Sequence, residues 1–285
     1  MENKTFTPDY NLNKFDIFSS LFSIVNEGHS TNEINKNIAN YLLKNLNKLS
    51  NLTIYDVAEE CYVSRSSIHR FLKQIGVDQF SNLVRFVQDS QQHYSAYHKY
   101  ANHDNFPLHL QQMMEEMMQS IAGIADDAKV RQLVQMVHDY ERVFILVADG
   151  SSSAPLQFQE EMMSIGKLIY VYTSSNVDEE SFAQLSAHDL LIVCSTTGNY
   201  AFAVTKDLTG VRSPKVLITS NHADAFKGHY SHIIYMSENN GDNRPYAFLG
   251  NRNVYTKYGL IFFFDIIFSQ YLQEYASDVI ASDTK

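Results

Sequence analysis

The sequence predicts an all-α domain followed by an α/β domain built on a mostly parallel, five-stranded sheet flanked by helices. Up to about residue 92, apolar residues recur at helical spacing. Val143–Ala148 is a continuous apolar run, the pattern of a strand buried on both faces. Beyond it, β-rich runs and helical stretches alternate, as they do where parallel strands are joined by helices. The 285 residues, 45% apolar and 19% charged, are enough for two ordinary domains with full cores.

In chain order, helical spacing covers Phe15–Val25 and Glu33–Asn47, with Thr31-Asn-Glu-Ile as the start signal of the second. Thr53–Ile75 reads as two short helices around a tight corner. Ile54, Val57, Ala58 and Cys61 fall at i, i+3, i+4 and i+7, so the first helix buries one face. Val63 closes the corner, Ser64 is the N-cap of the second helix, and Gly76 ends it. That second helix buries Ile68, Phe71, Leu72 and Ile75. A further helix runs from Ser81 to about Tyr94. Residues 93–107, rich in His, Tyr, Asn and Asp without periodicity, read as a linker. The expected domains are therefore 1–92 and 108–285. His93, His98 and His103 recur every five residues, which puts no pair on one helical face, so no metal site is expected.

In the second domain, Leu108–Ile124 and Lys129–Asp139 read as helices, and the Met113–Met118 cluster as adaptable packing surface. The strands are Val143–Ala148, Leu168–Thr173, Asp189–Cys194, Lys215–Thr219 and His232–Met236. Helices are expected at Ala154–Ile165, near Glu179–Leu185, at Tyr200–Leu208 and at Val254–Tyr275. The most apolar stretch, Leu260–Phe268, is too short to span a bilayer and contains Asp265. Met1–Phe6 shows no charged-then-apolar leader pattern, and two cysteines, Cys61 and Cys194, make no disulfide framework; a cytoplasmic location is the expectation.

A formal net charge of −10 argues against nonspecific coating of nucleic acid, but the charge is uneven. Nine Lys/Arg face ten Asp/Glu through residue 90, whereas Ser64–Arg85 holds four cations and one acid, Asp78. On the second short helix, Ser64, Arg65, Ser66, Ser67, His69, Arg70 and Lys73 remain on or near the outer faces. Small polar residues at a helix start, followed by cations, suit entry into a DNA major groove. An ordinary helical hairpin with a solvated face is the alternative, and Arg70 could instead brace the two helices.

Ligands in open α/β sheets bind at the carboxyl ends of strands, where helix N-termini offer backbone N–H groups. Two strand ends carry hydroxyl-rich loops. One has Gly150, Ser151, Ser152 and Ser153 directly before a helix; the other has Ser195, Thr196, Thr197, Gly198 and Asn199 before the next. Such donors suit a phosphate or sugar, although Ser and Thr also serve as plain helix caps. Thr219–His222, after the fourth strand, would add part of the rim.

These residues resemble a regulator of the RpiR type (MurR/RpiR family), an N-terminal helix-turn-helix joined to a SIS (sugar isomerase) domain. Ala58, Val63-Ser64, Ile68, Arg70-Phe71 and Ile75-Gly76 follow the family's pattern, and Phe80-Ser81-x-Leu83 its continuation. The SIS resemblance covers about residues 108 to 275 and includes Ile165-Gly-Lys167, the Ser195-x-Thr-Gly198 loop and Asp265. It implies a transcription factor of sugar metabolism that binds an operator in double-stranded DNA. The SIS domain would sense a phosphosugar or related carbohydrate derivative and form a homodimer or higher oligomer. No cofactor, metal or membrane is implied. Three departures stand out: Tyr62 replaces the corner glycine, Tyr200 replaces a threonine of the phosphate loop, and Asp149 puts a negative charge in the first loop.

Two other functions compete. A sugar-phosphate isomerase-like enzyme would need an acid/base at the sugar. Glu160, Glu161, His222 and His229 are near the loops but stand in no catalytic motif, so no catalytic residue is assigned. Alternatively, the SIS domain is retained for dimerisation only.

Overall fold

The computed structural model describes residues 17–26, 32–174, 177, 181–182, 184–238 and 252–276. The chain divides into two compact units, Met1–Ser95 and Ala96–Lys285.

The first unit contains α1 (Ile17–Asn26), α2 (Glu33–Lys44), a 3-10 turn (Leu46–Asn51), α3 (Ile54–Glu60), α4 (Arg65–Gln74) and the start of α5 (Phe80–Ala101). Each short helix has a local reason to begin. Asn32 accepts from the Asn35 N–H at 3.2 Å. Thr53 and Asp56 form a reciprocal capping box, in which the Thr53 N–H, bonded to the carboxylate at 2.6 Å, holds the Asp56 carboxyl below its ordinary pKa. Ser64 Oγ accepts from the Ser67 N–H at 3.1 Å, as the sequence predicts for this cap.

Both α3 and α4 end in the same motif. The Val63 N–H bonds Ala58 O and the Tyr62 N–H bonds Glu59 O; the Val77 N–H bonds Leu72 O and the Gly76 N–H bonds Lys73 O. The motif needs a left-handed residue, supplied by Tyr62 at φ 55° and Gly76 at φ 74°. Val57, Ala58, Cys61, Ile68, Phe71, Leu72 and Ile75 are buried with Leu21, Ile38, Leu42 and Leu83 in one apolar cluster. Ile54 packs at its edge.

The segment predicted as linker is largely helical. α5 continues to Ala101, and only Asn102–Asn105 separate it from α6 (Phe106–Gly123). The His and Tyr residues there are modest helix formers, not breakers, and the first proline, Pro107, sits in the opening turn of α6. The His103 ring stacks on that of His109 at 3.8 Å.

The second unit continues with α7 (Ala128–Asp139), β1 (Arg142–Val147), a 3-10 turn (Asp149–Ser151), α8 (Ser153–Ser164) and β2 (Ile169–Thr173). β3 (Asp189–Cys194), α9 (Asn199–Val204), β4 (Lys215–Thr219) and β5 (His232–Tyr235) follow. A short turn α10 (Arg252–Val254) leads through a π-helical segment (Tyr255–Gly259) into α11 (Leu260–Tyr275). The helix expected near Glu179–Leu185 lies largely outside the described residues. α9 stops earlier than predicted, and at its end Thr205 Oγ1 bonds back to Ala201 O at 2.6 Å. No helix among the described residues is long and apolar enough to cross a membrane.

The five strands pair in the order β2-β1-β3-β4-β5, and every pair is parallel. One face presents Val143, Ile145, Val147, Ile192 and Ile218 to a core shared with α6, α7, α8 and α11, where Phe158 stacks on Phe264. Phe144, Leu146, Leu191, Val193 and Leu217 on the alternate positions are buried too. Burial of both faces accounts for the continuous apolar runs. Between β1 and β3 the strand order reverses, which opens the crevice where this class of sheet binds ligands.

Candidate nucleic-acid interface and strand-end site

On α4, Arg65, His69, Arg70 and Lys73 are exposed, while Ile68, Phe71 and Leu72 fix the opposite face in the core. Ser64, Ser66 and Ser67 form a hydroxyl cluster, with Ser64 Oγ 2.7 Å from Ser66 Oγ and 2.9 Å from Ser67 Oγ. Ser67 is therefore partly engaged by the Ser64 cap. Arg70 is exposed, and Asn37 of α2 ties that helix to the corner after α3, its Nδ2 donating to Cys61 O at 3.1 Å. Asn35 Nδ2 also holds Gln74 Oε1 at 2.6 Å. Arg65 is packed on Tyr55 of α3, a residue the sequence pattern did not single out because it lies off the apolar face.

The two hydroxyl-rich loops begin side by side, because Val147 and Cys194, the last residues of β1 and β3, are register partners. In the first loop, Ser152 Oγ donates to Asp149 O at 2.8 Å, Gly150 and Ser153 are exposed, and Ser151 is half-buried. Asp149 is held by Ser174, just past β2: Ser174 Oγ donates to the carboxylate at 2.5 Å, and the Asp149 N–H donates to Ser174 Oγ at 3.3 Å. Ser174 could be recognised only once β2 was known to lie beside β1.

The second loop is more enclosed. Ser195 and Thr196 are buried, and Ser195 Oγ accepts from the Ala201 N–H at 3.1 Å, which caps α9. Thr197 Oγ1 accepts from the Asn199 N–H at 3.4 Å. Gly198, at φ 83°, lies under Asn221, whose Nδ2 donates to Thr197 O at 2.8 Å. The Thr219–His222 segment lies against this loop: the Ser220 N–H bonds Thr196 O at 2.9 Å, and His222 Nε2 lies 2.7 Å from Ser237 O. Among the described residues, Thr196 Oγ1 and Ser220 Oγ are buried with no hydrogen-bond partner. Buried hydroxyls without a protein partner are uncommon in folded chains. Tyr200 is buried, and that burial, with Asp149 nearby, pushes its phenol pKa far up.

Of the acid/base candidates, His222 is beside the second loop with its Nε2 engaged by Ser237 O, and the others are placed elsewhere. Glu160 and His229 are exposed, and Glu161 accepts from Gln157 Nε2 at 3.1 Å within α8. Lys167 has a structural place: its Nζ bonds the carbonyls of His138 and Tyr140 (3.1 and 2.5 Å) at the end of α7, and burial pushes its pKa down. Asp265 is exposed on α11.

The helical unit with an exposed, cation-bearing second helix and the all-parallel sheet define a helix-turn-helix chain with an appended α/β domain. Residues 19–93 match the model of the helix-turn-helix domain of the rpiR family. No curated protein matches the chain. The structure is similar to that of the Vibrio vulnificus NanR protein complexed with ManNAc-6P, at 19% identity and TM-score 0.49, over 92% of this chain and 93% of that one. The sugar isomerase domain of an RpiR transcription factor from Sphaerobacter thermophilus is similar over 62% of this chain and 96% of its own, at 14% identity and TM-score 0.48. A hypothetical protein from Methanococcus jannaschii, whose structure was used to infer 3-hexulose-6-phosphate isomerase function, is similar over 57% of this chain and 89% of its own, at 14% identity and TM-score 0.44.

Proposed function

We propose that this chain is a DNA-binding transcriptional regulator of sugar metabolism, not an enzyme. In this reading α4 enters the major groove of an operator, and the α/β domain binds a phosphosugar or related effector. The observation that carries it is the rpiR-family helix-turn-helix, whose exposed Arg65, His69, Arg70 and Lys73 occupy the face opposite the core. A homodimer would present two such helices to a two-fold operator. The effector shifts DNA affinity only so far as it prefers one arrangement of the dimer, typically by ~1–3 kcal/mol.

The effector half of the reading is supported by the adjacent loops at the β1/β3 crevice and by the orphan hydroxyls of Thr196 and Ser220. A second reading, in which the loops are structural and the domain only dimerises, is favoured by Ser195 and Thr197 already accepting backbone N–H groups. A thermal-shift screen of the full chain against sugar phosphates, ManNAc-6P among them, separates the two. The sensor reading expects a saturable stabilisation by at least one compound that Thr196→Val removes. Uniformly flat responses would leave the structural reading in possession. The DNA half is tested by selecting duplexes from a randomised library, with Arg70→Ala and Lys73→Ala expected to abolish enrichment.

A further inference from the structure

We propose that Tyr55 is the positioning residue that fixes where Arg65 enters the groove, and thereby sets the base preference at the position Arg65 reads. The proposal rests on the DNA-reading role of α4. Tyr55 is a large side chain left 60% exposed on α3, although Val57, Ala58 and Cys61 around it are buried. Its hydroxyl accepts a hydrogen bond from Arg65 Nη1 at 2.8 Å, and the guanidinium carbon lies 4.5 Å from the ring centroid. The ring and the hydroxyl therefore act on the same guanidinium at once.

Three points make this more than surface packing. Arg65 is the first residue of α4, and its backbone is fixed by the Ser64 cap, so only its long side chain remains to be ordered. Held on a ring, a guanidinium loses less freedom when it binds, which is how preorganisation adds affinity. The partner is neutral. A carboxylate would offset the charge and have to be displaced, whereas the phenol uses one N–H and leaves the fork able to pair with guanine O6 and N7. Arg65 forms no ion pair among the described residues, and His69, Arg70 and Lys73 make no comparable ring contact there. Of the cations on this helix, Arg65 alone among those described is held in this way.

The test uses the full chain and the duplex that the wild-type protein enriches from a randomised library, with a scrambled duplex as control, at one salt concentration. Tyr55→Ala is expected to weaken the selected duplex about tenfold, equivalent to ~1.4 kcal/mol, because Arg65 is no longer placed. The scrambled duplex should change by less than about twofold, and Tyr55→Ala should add less than about twofold once Arg65→Ala is present. Tyr55→Phe, which keeps the ring, should retain part of the effect and repeat the cycle if the alanine variant folds poorly. Equal weakening of both duplexes, or an undiminished loss in the Arg65→Ala background, would overturn the role of Tyr55 while leaving DNA reading intact. A wild-type chain that enriches no sequence would overturn both.

Discussion

In the helical unit, the helix caps act over three residues and at the surface, Thr53 with Asp56 and Ser64 with Ser67, and the longer side-chain bond from Asn35 to Gln74 is exposed as well. In the α/β unit the decisive bonds cross 24 residues from Asn221 to Thr197 and 47 from Arg142 to Asp189, and they end on buried groups. The difference has a physical consequence. Water can replace a lost partner at an exposed cap, but a group buried inside keeps its full desolvation cost. It also separates the two candidate sites. The face of α4 is built from side chains whose outer ends are open to another molecule, whereas Ser195 and Thr196 of the second strand-end loop are enclosed and Ser195 is committed to the fold.

The largest test of this contrast is Gly198→Ala. A Cβ there would stand 2.8 Å from both Cβ and Nδ2 of Asn221, with φ already at 83°. Asn221 cannot easily yield, because its Nδ2 holds Thr197 O and its Oδ1 accepts from the Ala223 N–H at 2.9 Å. Left-handed strain and overpacking together should cost about 3 kcal/mol in urea unfolding. A cost under about 1 kcal/mol would mean that the enclosed loop is as adaptable as a surface cap.

Next is Asp189→Asn. Arg142 Nε and Nη2 donate to the two carboxylate oxygens at 2.7 and 2.8 Å, and Ser186 adds its N–H and hydroxyl at 2.7 and 2.8 Å. Burial pushes the Asp189 carboxyl up, but these donors outweigh it and hold it below the ordinary carboxylate value. Replacing the carboxylate should cost about 2 kcal/mol, toward the low end for charged hydrogen bonds because Arg142 keeps 44% of its side chain exposed to water. A depressed carboxyl contributes stability that is present above its unfolded pKa of about 4 and lost as pH falls through the folded value. Wild-type stability should therefore drop more steeply than the variant's below about pH 4. Parallel acid limbs would show that this buried pair behaves like the exposed ones.

The same contrast explains what could be read from the sequence. Helical spacing, the Ser64 cap and the buried set Ile68, Phe71, Leu72 and Ile75 follow from neighbours within one turn, and the strands from apolar runs. Asp189–Cys194 and Lys215–Thr219 were legible to the residue because buried parallel strands leave no polar interruption. The contacts of Ser174 with Asp149 and of Asn221 with Thr197 depend on strand order, which no local pattern encodes. The continuation of α5 through 93–101 was missed for the opposite reason: its residues lack apolar periodicity, yet nothing among them forbids a helix.

The smallest expected effect compares two helix ends inside one unit. Tyr62 and Gly76 occupy the same position of the same motif, but only Tyr62 carries a Cβ against the left-handed backbone. Its side chain is 94% exposed, so replacing it removes almost no packing. Tyr62→Gly should relieve strain of ~1–2 kcal/mol, partly offset by the greater freedom glycine gains in the unfolded chain. A net stabilisation of about 0.5–1 kcal/mol is expected, read as a rise in the urea midpoint with unchanged slope. Gly76→Ala, the reverse change at the equivalent site, should destabilise by a similar amount. If Tyr62→Gly instead lowers stability, the exposed ring has a partner in the folded chain, and the corner of α3 and α4 is not the purely local structure that its hydrogen bonds describe.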